Sequence, residues 1–159
     1  AAMASGEILY FLHCDSYPPE AFDDEIINAV AEGHPAGCFE MVFDSQHLWL
    51  RFLGFWTRFN HVSCRGGDQS QYITSELFHQ IGGYNEAYKI YEDYILIREL
   101  YARKKFHVIR KKIVTSARKY KQYGVLRVQY CHLLIYFKRF CGADSDAIYQ
   151  AYIECFKKR

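Results

Sequence analysis

The chain has 159 residues, of which half are apolar and 18% are aromatic, so it can build a hydrophobic core and is not an intrinsically disordered protein. Its 20 basic and 18 acidic residues give a net charge of +2, and no overall positive field favours a nucleic-acid partner. No apolar run reaches the length of a transmembrane helix. The six cysteines lack the CxxC spacing of a zinc site, and nothing resembles a signal peptide. We therefore expect reduced thiols and a cytoplasmic protein.

The first elements predict the start of a sheet. Residues 7–13 form a continuous apolar run, which is typical of a strand buried on both faces in a parallel sheet. Pro19 suits a first helical position and Glu20 suits a helix N-terminus, so a helix is predicted up to about Ala31. Residues 37–43 then predict a second strand.

The segment 48–59 is the most apolar part of the chain and leaves two interpretations open. Its large apolar residues cover too much of a helix for one narrow stripe. One interpretation is a buried helix. The other is a helix that meets a membrane surface or a lipid-like acceptor, so that the protein would be membrane-peripheral. Aromatic residues exposed there would also suit a homodimer.

The second half predicts further alternation of strands and helices. We expect a strand at 71–73, a helix from Thr74 or Ser75 to Ile81, a helix at 92–104, a strand or hairpin at 106–116, a helix at 125–140, and a last helix capped by Asp144 or Ser145. No repeat or linker interrupts this pattern. It predicts an α/β fold with a mixed sheet flanked by helices, in one domain over residues 1–159.

An acid follows the first strand directly, in His13-Cys14-Asp15. Ligands of open α/β sheets bind at the carboxyl ends of strands, and Mg²⁺ or Mn²⁺ prefers oxygen ligands. Asp15 could therefore hold a cation that bridges two phosphates. The alternative is that Asp15 caps the turn before Pro18.

Two adjacent acids, Glu92 and Asp93, begin a predicted helix. The helix dipole alone could account for them. A carboxylate in that position could instead face a cleft and take a proton from an attacking hydroxyl group.

Two further polar segments have a functional and a plain interpretation. Gly67, Asp68 and Gln69 combine close backbone approach with hydrogen-bonding groups that suit sugar hydroxyls, or they form an ordinary turn. Arg118 and Lys119 suit a phosphate group, or they belong to a solvated basic loop.

Four segments, in this order, resemble family 2 glycosyltransferases. Residues 6–19 (GEILYFLHCDSYPP) resemble the strand and metal-site turn of that family, and residues 65–86 (RGGDQSQYITSELFHQIGGYNE) its acceptor-side segment. Residues 91–100 (YEDYILIREL) resemble its Glu-Asp helix. Residues 114–127 (VTSARKYKQYGVLR) resemble a Thr-Ser-x-Arg stretch of a bacterial subgroup assigned to arsenosugar biosynthesis.

The resemblance implies a GT-A fold that is incomplete, with residues 1–159 as its C-terminal, acceptor-side portion and the N-terminal nucleotide-binding strands missing. The implied activity is inverting transfer of one sugar from a nucleotide-diphosphate sugar to an acceptor hydroxyl. The processive Gln-x-x-Arg-Trp motif is absent, which favours single-sugar transfer. The implied roles are Mg²⁺ or Mn²⁺ binding by Asp15 and His13, proton removal by Asp93 with Glu92 beside it, acceptor binding by Gly67, Asp68 and Gln69, and diphosphate binding by Arg118 and Lys119.

This sequence departs from the family pattern at His13, where many relatives have an aspartate. The departure leaves Asp15 as the one carboxylate in the metal-site turn. Two alternatives to an enzyme follow: a non-catalytic binding or scaffold module on the same fold, and a membrane-associated interaction protein that uses the segment 48–59.

Overall fold

A computed structural model describes residue 1 and residues 3–157. These residues contain seven α-helices and five strands, which confirms the predicted α/β class with a mixed sheet flanked by helices. The elements are β1 (Ile8–Phe11), β2 (Ser16–Tyr17), α1 (Phe22–Ala31), β3 (Ala36–Phe43), α2 (Leu48–Trp56), β4 (Gln71–Thr74), α3 (Ser75–Gln80), α4 (Glu92–Ala102), β5 (Phe106–Thr115), α5 (Arg118–Tyr123), α6 (Val125–Phe140) and α7 (Ser145–Phe156).

The described residues group into two compact units. The first contains residues 1–84 and 93–116 and holds the sheet. The second contains residues 85–92 and the described residues from 117 onward, with α5, α6 and α7. The prediction that residues 1–159 form one portion of a single larger domain stays a prediction.

The sheet has the strand order β1-β4-β3-β5-β2. The strands β3 and β5 run parallel, and the other three pairings are antiparallel. One prediction about strands was wrong: β1 does not lie in a parallel pairing, because it pairs antiparallel with β4. Of the two alternatives for the segment 106–116, the single strand is confirmed, because β5 stays beside β3 from Phe106 to Thr115.

The apolar run of β1 has a physical reason other than parallel pairing. Its side chains alternate between the two faces of the sheet, and aromatic residues meet it on both. On one face Tyr10 stacks on Phe22, with ring centroids 5.2 Å apart. On the other face Phe11 contacts Phe78, at 5.6 Å. A strand that is covered on both faces needs apolar residues throughout, whatever the direction of its neighbour.

Each face of the sheet carries its own core. Ile26 and Ala29 of α1 pack with Phe39, Met41 and other residues on one face. The opposite face packs against α3 and α4, through buried residues that include Leu77, Phe78, Leu96, Ile97 and Leu100.

The helix α2 packs on β3 through a narrow stripe. Leu50 is buried, and Thr57 donates to and accepts from the backbone of Met41, with Met41 N–H donating to Thr57 Oγ1 at 2.8 Å. Between them lies Gly54, where a Cβ would be 2.9 Å from the carbonyl oxygen of Met41. The close approach of the helix to the strand therefore requires glycine at this position.

The second unit contains two predicted helices and one that was missed. The helices α6 and α7 match the predicted segments, and the Asp144 side chain caps α7 by accepting from Ala147 N–H at 2.7 Å. Arg118 and Lys119, for which one interpretation was a basic loop, begin the short helix α5 instead.

No helix among the described residues has the length and apolarity that would be needed to cross a bilayer.

The packing of α2 gives a first prediction. Gly54→Ala should lower the free energy of unfolding by about 1–3 kcal/mol, because the added methyl group overpacks the contact with the Met41 carbonyl group. Chemical denaturation measures the change. Gly66→Ala is the matched control, since a Cβ there meets nothing within 4 Å. Equal stability of the two variants would contradict the packing described for α2.

Candidate functional site

The turn that carries His13 and Asp15 is fixed between two strands of the sheet. The carbonyl group of His13 accepts from Ser16 N–H at 3.1 Å, and that of Asp15 accepts from Ser116 N–H at 3.1 Å. The buried Ser16 hydroxyl donates to Thr115 Oγ1 at 2.9 Å. Asp15 therefore lies at the carboxyl end of β5 as well as just after β1, the kind of position where open α/β sheets bind ligands.

The loop with Gly67 lies beside this turn because of strand pairing. Phe11, the last residue of β1, is opposite Gln71, the first residue of β4. The residues just after β1 and just before β4 are therefore brought to the same edge of the sheet. These are the two segments for which the resemblance predicts metal binding and acceptor binding.

A buried arginine holds the Gly67 loop in place. Arg65 donates to the amide oxygen of Gln69 at 2.7 Å, to Cys38 Sγ at 3.1 Å, and to the carbonyl oxygens of Thr57 and Phe59. All of these acceptors are neutral, and Arg65 is only 3% exposed. Because burial raises the pKa of the Cys38 thiol, Cys38 stays neutral beside the guanidinium group.

Two side chains from separate segments, those of His13 and Asp93, approach the backbone of Gly67. A Cβ on Gly67 would lie 2.9 Å from His13 Nε2 and closer still to Asp93 Oδ2. The histidine comes from the turn after β1, the glycine from the loop before β4, and the aspartate from the first turn of α4. A Cβ on residue 67 would displace the imidazole and the carboxylate, so glycine allows both groups to lie this close to the backbone.

Asp93 is oriented by its own helix. It is half-buried, and its Oδ1 accepts from Tyr94 N–H at 2.7 Å, while Oδ2 faces Gly67. Glu92, the residue before it, is half-buried and begins α4. One oxygen of Asp93 is thus held by the helix N-terminus, and the other faces the same point at Gly67 as His13 Nε2 does.

The remaining residues of the Gly67 loop have different surroundings. Asp68 is exposed. Gln69 is buried, and both ends of its amide group bond to the scaffold, with Nε2 donating to the Cys64 carbonyl oxygen at 2.7 Å. The geometry makes Gln69 a residue that positions the loop, whereas Asp68 presents its carboxylate to solvent.

The backbone of the loop is strained next to the site. Ser70 has φ +59° and ψ 173°, a conformation that costs a residue other than glycine on the order of 1–3 kcal/mol. Ser70 is buried, and its hydroxyl accepts a hydrogen bond from Tyr10 at 3.1 Å. Surrounding contacts that hold a strained residue in place are typical of functional loops.

Metal ligands are few at this edge of the sheet. Among residue 1 and residues 3–157, no group of three or more His, Cys, Asp and Glu side chains could hold a metal ion. His13 and Asp15 are two residues apart in one turn, and two side chains alone would not make a complete ligand set. Binding of Mg²⁺ or Mn²⁺ stays a prediction.

Arg118 and Lys119 belong to the second unit. Lys119 lies over the ring of Phe156 at 4.2 Å and donates to the Tyr152 hydroxyl at 3.1 Å, so its charge is engaged by α7. Arg118 is exposed in the first turn of α5. Diphosphate binding by these two residues stays a prediction.

Sequence reasoning missed two residues of the site's framework. Arg65 was the first residue of the segment 65–86 and was given no role of its own, and only its position before two glycines distinguished it from a surface arginine. Gln71 was assigned to a strand, yet it is buried and its Nε2 has no hydrogen-bond partner among the described residues. A water molecule or a substrate hydroxyl would satisfy such a group.

Comparison of the chain with protein-family models, with curated proteins and with solved structures found no match.

Proposed function

We propose that this chain is the acceptor-side part of an inverting glycosyltransferase that moves one sugar from a nucleotide-diphosphate sugar to an acceptor hydroxyl. The observation that carries the proposal is the meeting of His13, Gly67 and Asp93 around one point. These residues come from three of the four segments that resemble family 2 glycosyltransferases. Segments that are far apart in the sequence and close in space support a shared role.

The chemistry assigned to Asp93 is proton removal from the acceptor. Its Oδ1 is bonded to the helix, so the orientation of the carboxylate is defined, and Oδ2 faces the gap at Gly67. An acceptor hydroxyl that donates to Oδ2 would lose its proton there as its oxygen attacks the anomeric carbon of the donor. The nucleoside diphosphate then departs from the opposite face of the sugar.

We assign to His13 a second polar contact with a ligand that is bound at the same gap. Its Nε2 lies within 2.9 Å of the point where a Gly67 Cβ would be, so it can hydrogen-bond a ligand that also contacts Asp93. Mg²⁺ or Mn²⁺, if bound at Asp15, would offset the charge of the diphosphate. The two side chains in the turn would need further oxygen ligands from the substrate or water.

The assignment of the base gives the second prediction. Asp93→Asn should lower kcat by roughly 10²–10⁴-fold, because an amide cannot accept the proton of the acceptor hydroxyl. The measurement is release of nucleoside diphosphate from a panel of nucleotide sugars, with the longest natural chain that contains this sequence. Affinity for the donor, measured by calorimetry, should change little.

Asp24→Asn is the matched control, because Asp24 is an exposed carboxylate in the first turn of α1, as Asp93 is a carboxylate in the first turn of α4. An Asp93→Asn protein that turns over as fast as the unmodified chain would refute the assignment of the base. Failure of the unmodified chain to bind any nucleotide sugar, with or without Mn²⁺, would favour a non-catalytic binding module instead.

Gly67 gives the third prediction, which tests the geometry rather than the base. Gly67→Ala should lower kcat at least about tenfold, because the methyl group displaces Asp93 Oδ2 and His13 Nε2 from their common point. Gly66→Ala, one residue earlier, places its methyl group in open space and should leave turnover unchanged. Equal rates for the two variants would show that the gap at Gly67 is not the reacting site.

A further inference from the structure

The outer surface of α2 carries a contiguous aromatic patch. Trp49, Phe52, Phe55, Trp56 and Phe59 are each between 42% and 52% exposed, and the preceding Leu48 is 77% exposed. Neighbouring rings contact one another, with centroids 5.3–5.8 Å apart from Trp49 through Phe59. We call these six residues the α2 patch. It is one surface rather than scattered apolar side chains, and such surfaces mark interaction sites.

The helix exposes this patch because it packs through so few residues. Leu50, Gly54 and Thr57 alone form the buried stripe, and glycine contributes no side chain. The remaining large residues are on the sides and outer face of the helix. Of the two interpretations left open by the sequence, a buried helix therefore holds for this stripe alone.

The surroundings of the α2 patch are basic. Between Asp44 and Asp68 the sequence contains three arginines and no acidic residue. Arg51 and Arg58 flank the patch, and no described carboxylate pairs with either. Arg58 lies over the ring of Phe55, 5.0 Å from its centroid, so positive charge is directly beside exposed aromatic surface.

A distortion in the sheet brings a further cation to the same place. The register between β3 and β5 shifts after Phe39, and Arg110, Lys111 and Lys112 are turned out to solvent. Arg110 pairs with Glu40 at 3.0 Å. Lys112 has no carboxylate partner among the described residues and lines a cleft together with Arg51 and Arg58.

This cleft lies between α2 and the sheet and has a volume of about 300 Å³. Its walls combine apolar side chains, such as Leu50 and Phe43, with the three unneutralised cations. Its one acid, Glu40, is already paired with Arg110. The cleft has the size and the charge for a phosphate group attached to an apolar body.

We propose that the α2 patch docks on the surface of an anionic phospholipid bilayer, with a headgroup phosphate in the adjoining cleft. Trp and Phe side chains enter the interface between headgroups and acyl chains, while Arg51, Arg58 and Lys112 attract the anionic lipids. A second copy of this chain fits less well, because a symmetric contact would bring the same unneutralised cations together. The proposal does not depend on the glycosyltransferase activity.

Vesicle flotation tests the proposal with the full natural chain. The protein should float with vesicles of phosphatidylcholine plus phosphatidylserine, should bind vesicles of phosphatidylcholine alone more weakly, and should be released by high salt. The double substitution Phe52→Ser with Trp56→Ser should lower the partition coefficient at least about tenfold, because it removes two aromatic anchors.

A matched pair of exposed apolar residues provides the control. Leu133→Ser with Phe137→Ser changes two side chains at the same spacing on α6, which are 67% and 65% exposed. This variant should float like the unmodified chain. Circular dichroism of both variants verifies that each is folded.

The charges are tested separately. Arg51→Gln with Lys112→Gln should lower binding to the anionic vesicles at least about fivefold and remove most of its salt dependence, whereas Arg98→Gln with Lys105→Gln should not.

Three results would overturn the proposal: no flotation with anionic vesicles, equal loss in test and control variants, or a dimer in light scattering that Phe52→Ser with Trp56→Ser converts to a monomer.

Discussion

Arg65 connects the parts of the first unit on which the candidate site depends. Its guanidinium group is buried among neutral acceptors: three backbone carbonyl groups after α2, the thiol of Cys38 on β3, and the amide of Gln69. A buried cation is costly unless its donors are satisfied, and five acceptors on three segments achieve this. The planar fork of arginine reaches several acceptors at once, which the single head of lysine does not. The loop from Gly66 to Ser70 is therefore fixed relative to the sheet.

The site follows from that constraint and from one strand pairing. The antiparallel contact of β1 with β4 brings the turn after Phe11 next to the loop before Gln71. Because the loop is fixed, Gly67 lies next to two side chains. One is His13, in the turn after β1, and the other is Asp93, in the first turn of α4. The strained backbone of Ser70 has the same origin, because the loop must turn sharply to enter β4.

Much of the fold could be predicted from local patterns, and the exceptions have physical reasons. The helix at Glu92, the strand at Ala36 and the Asp144 cap depend on nearby residues, and they were found at the expected places. The direction of β1 depends on which strand lies next to it, and an apolar run carries no such information. The role of Arg65 depends on acceptors up to 27 residues away. The contact of His13 with Gly67 could be expected only through the resemblance to a family, since nothing in their spacing implies it.

Arg65 is the anchor of the Gly67 loop, and hydrogen exchange of the loop amides is the measurement that reports on this role. The amides of Gln69 and Ser70 donate to the carbonyl groups of Gly66 and Gly67, so their exchange reports on the loop itself. In Arg65→Lys these amides should exchange at least about tenfold faster, while amides in β5 keep their protection. Arg98→Lys, on the exposed side of α4, should change neither. Unchanged exchange at Gln69 and Ser70 in a folded Arg65→Lys protein would contradict the account.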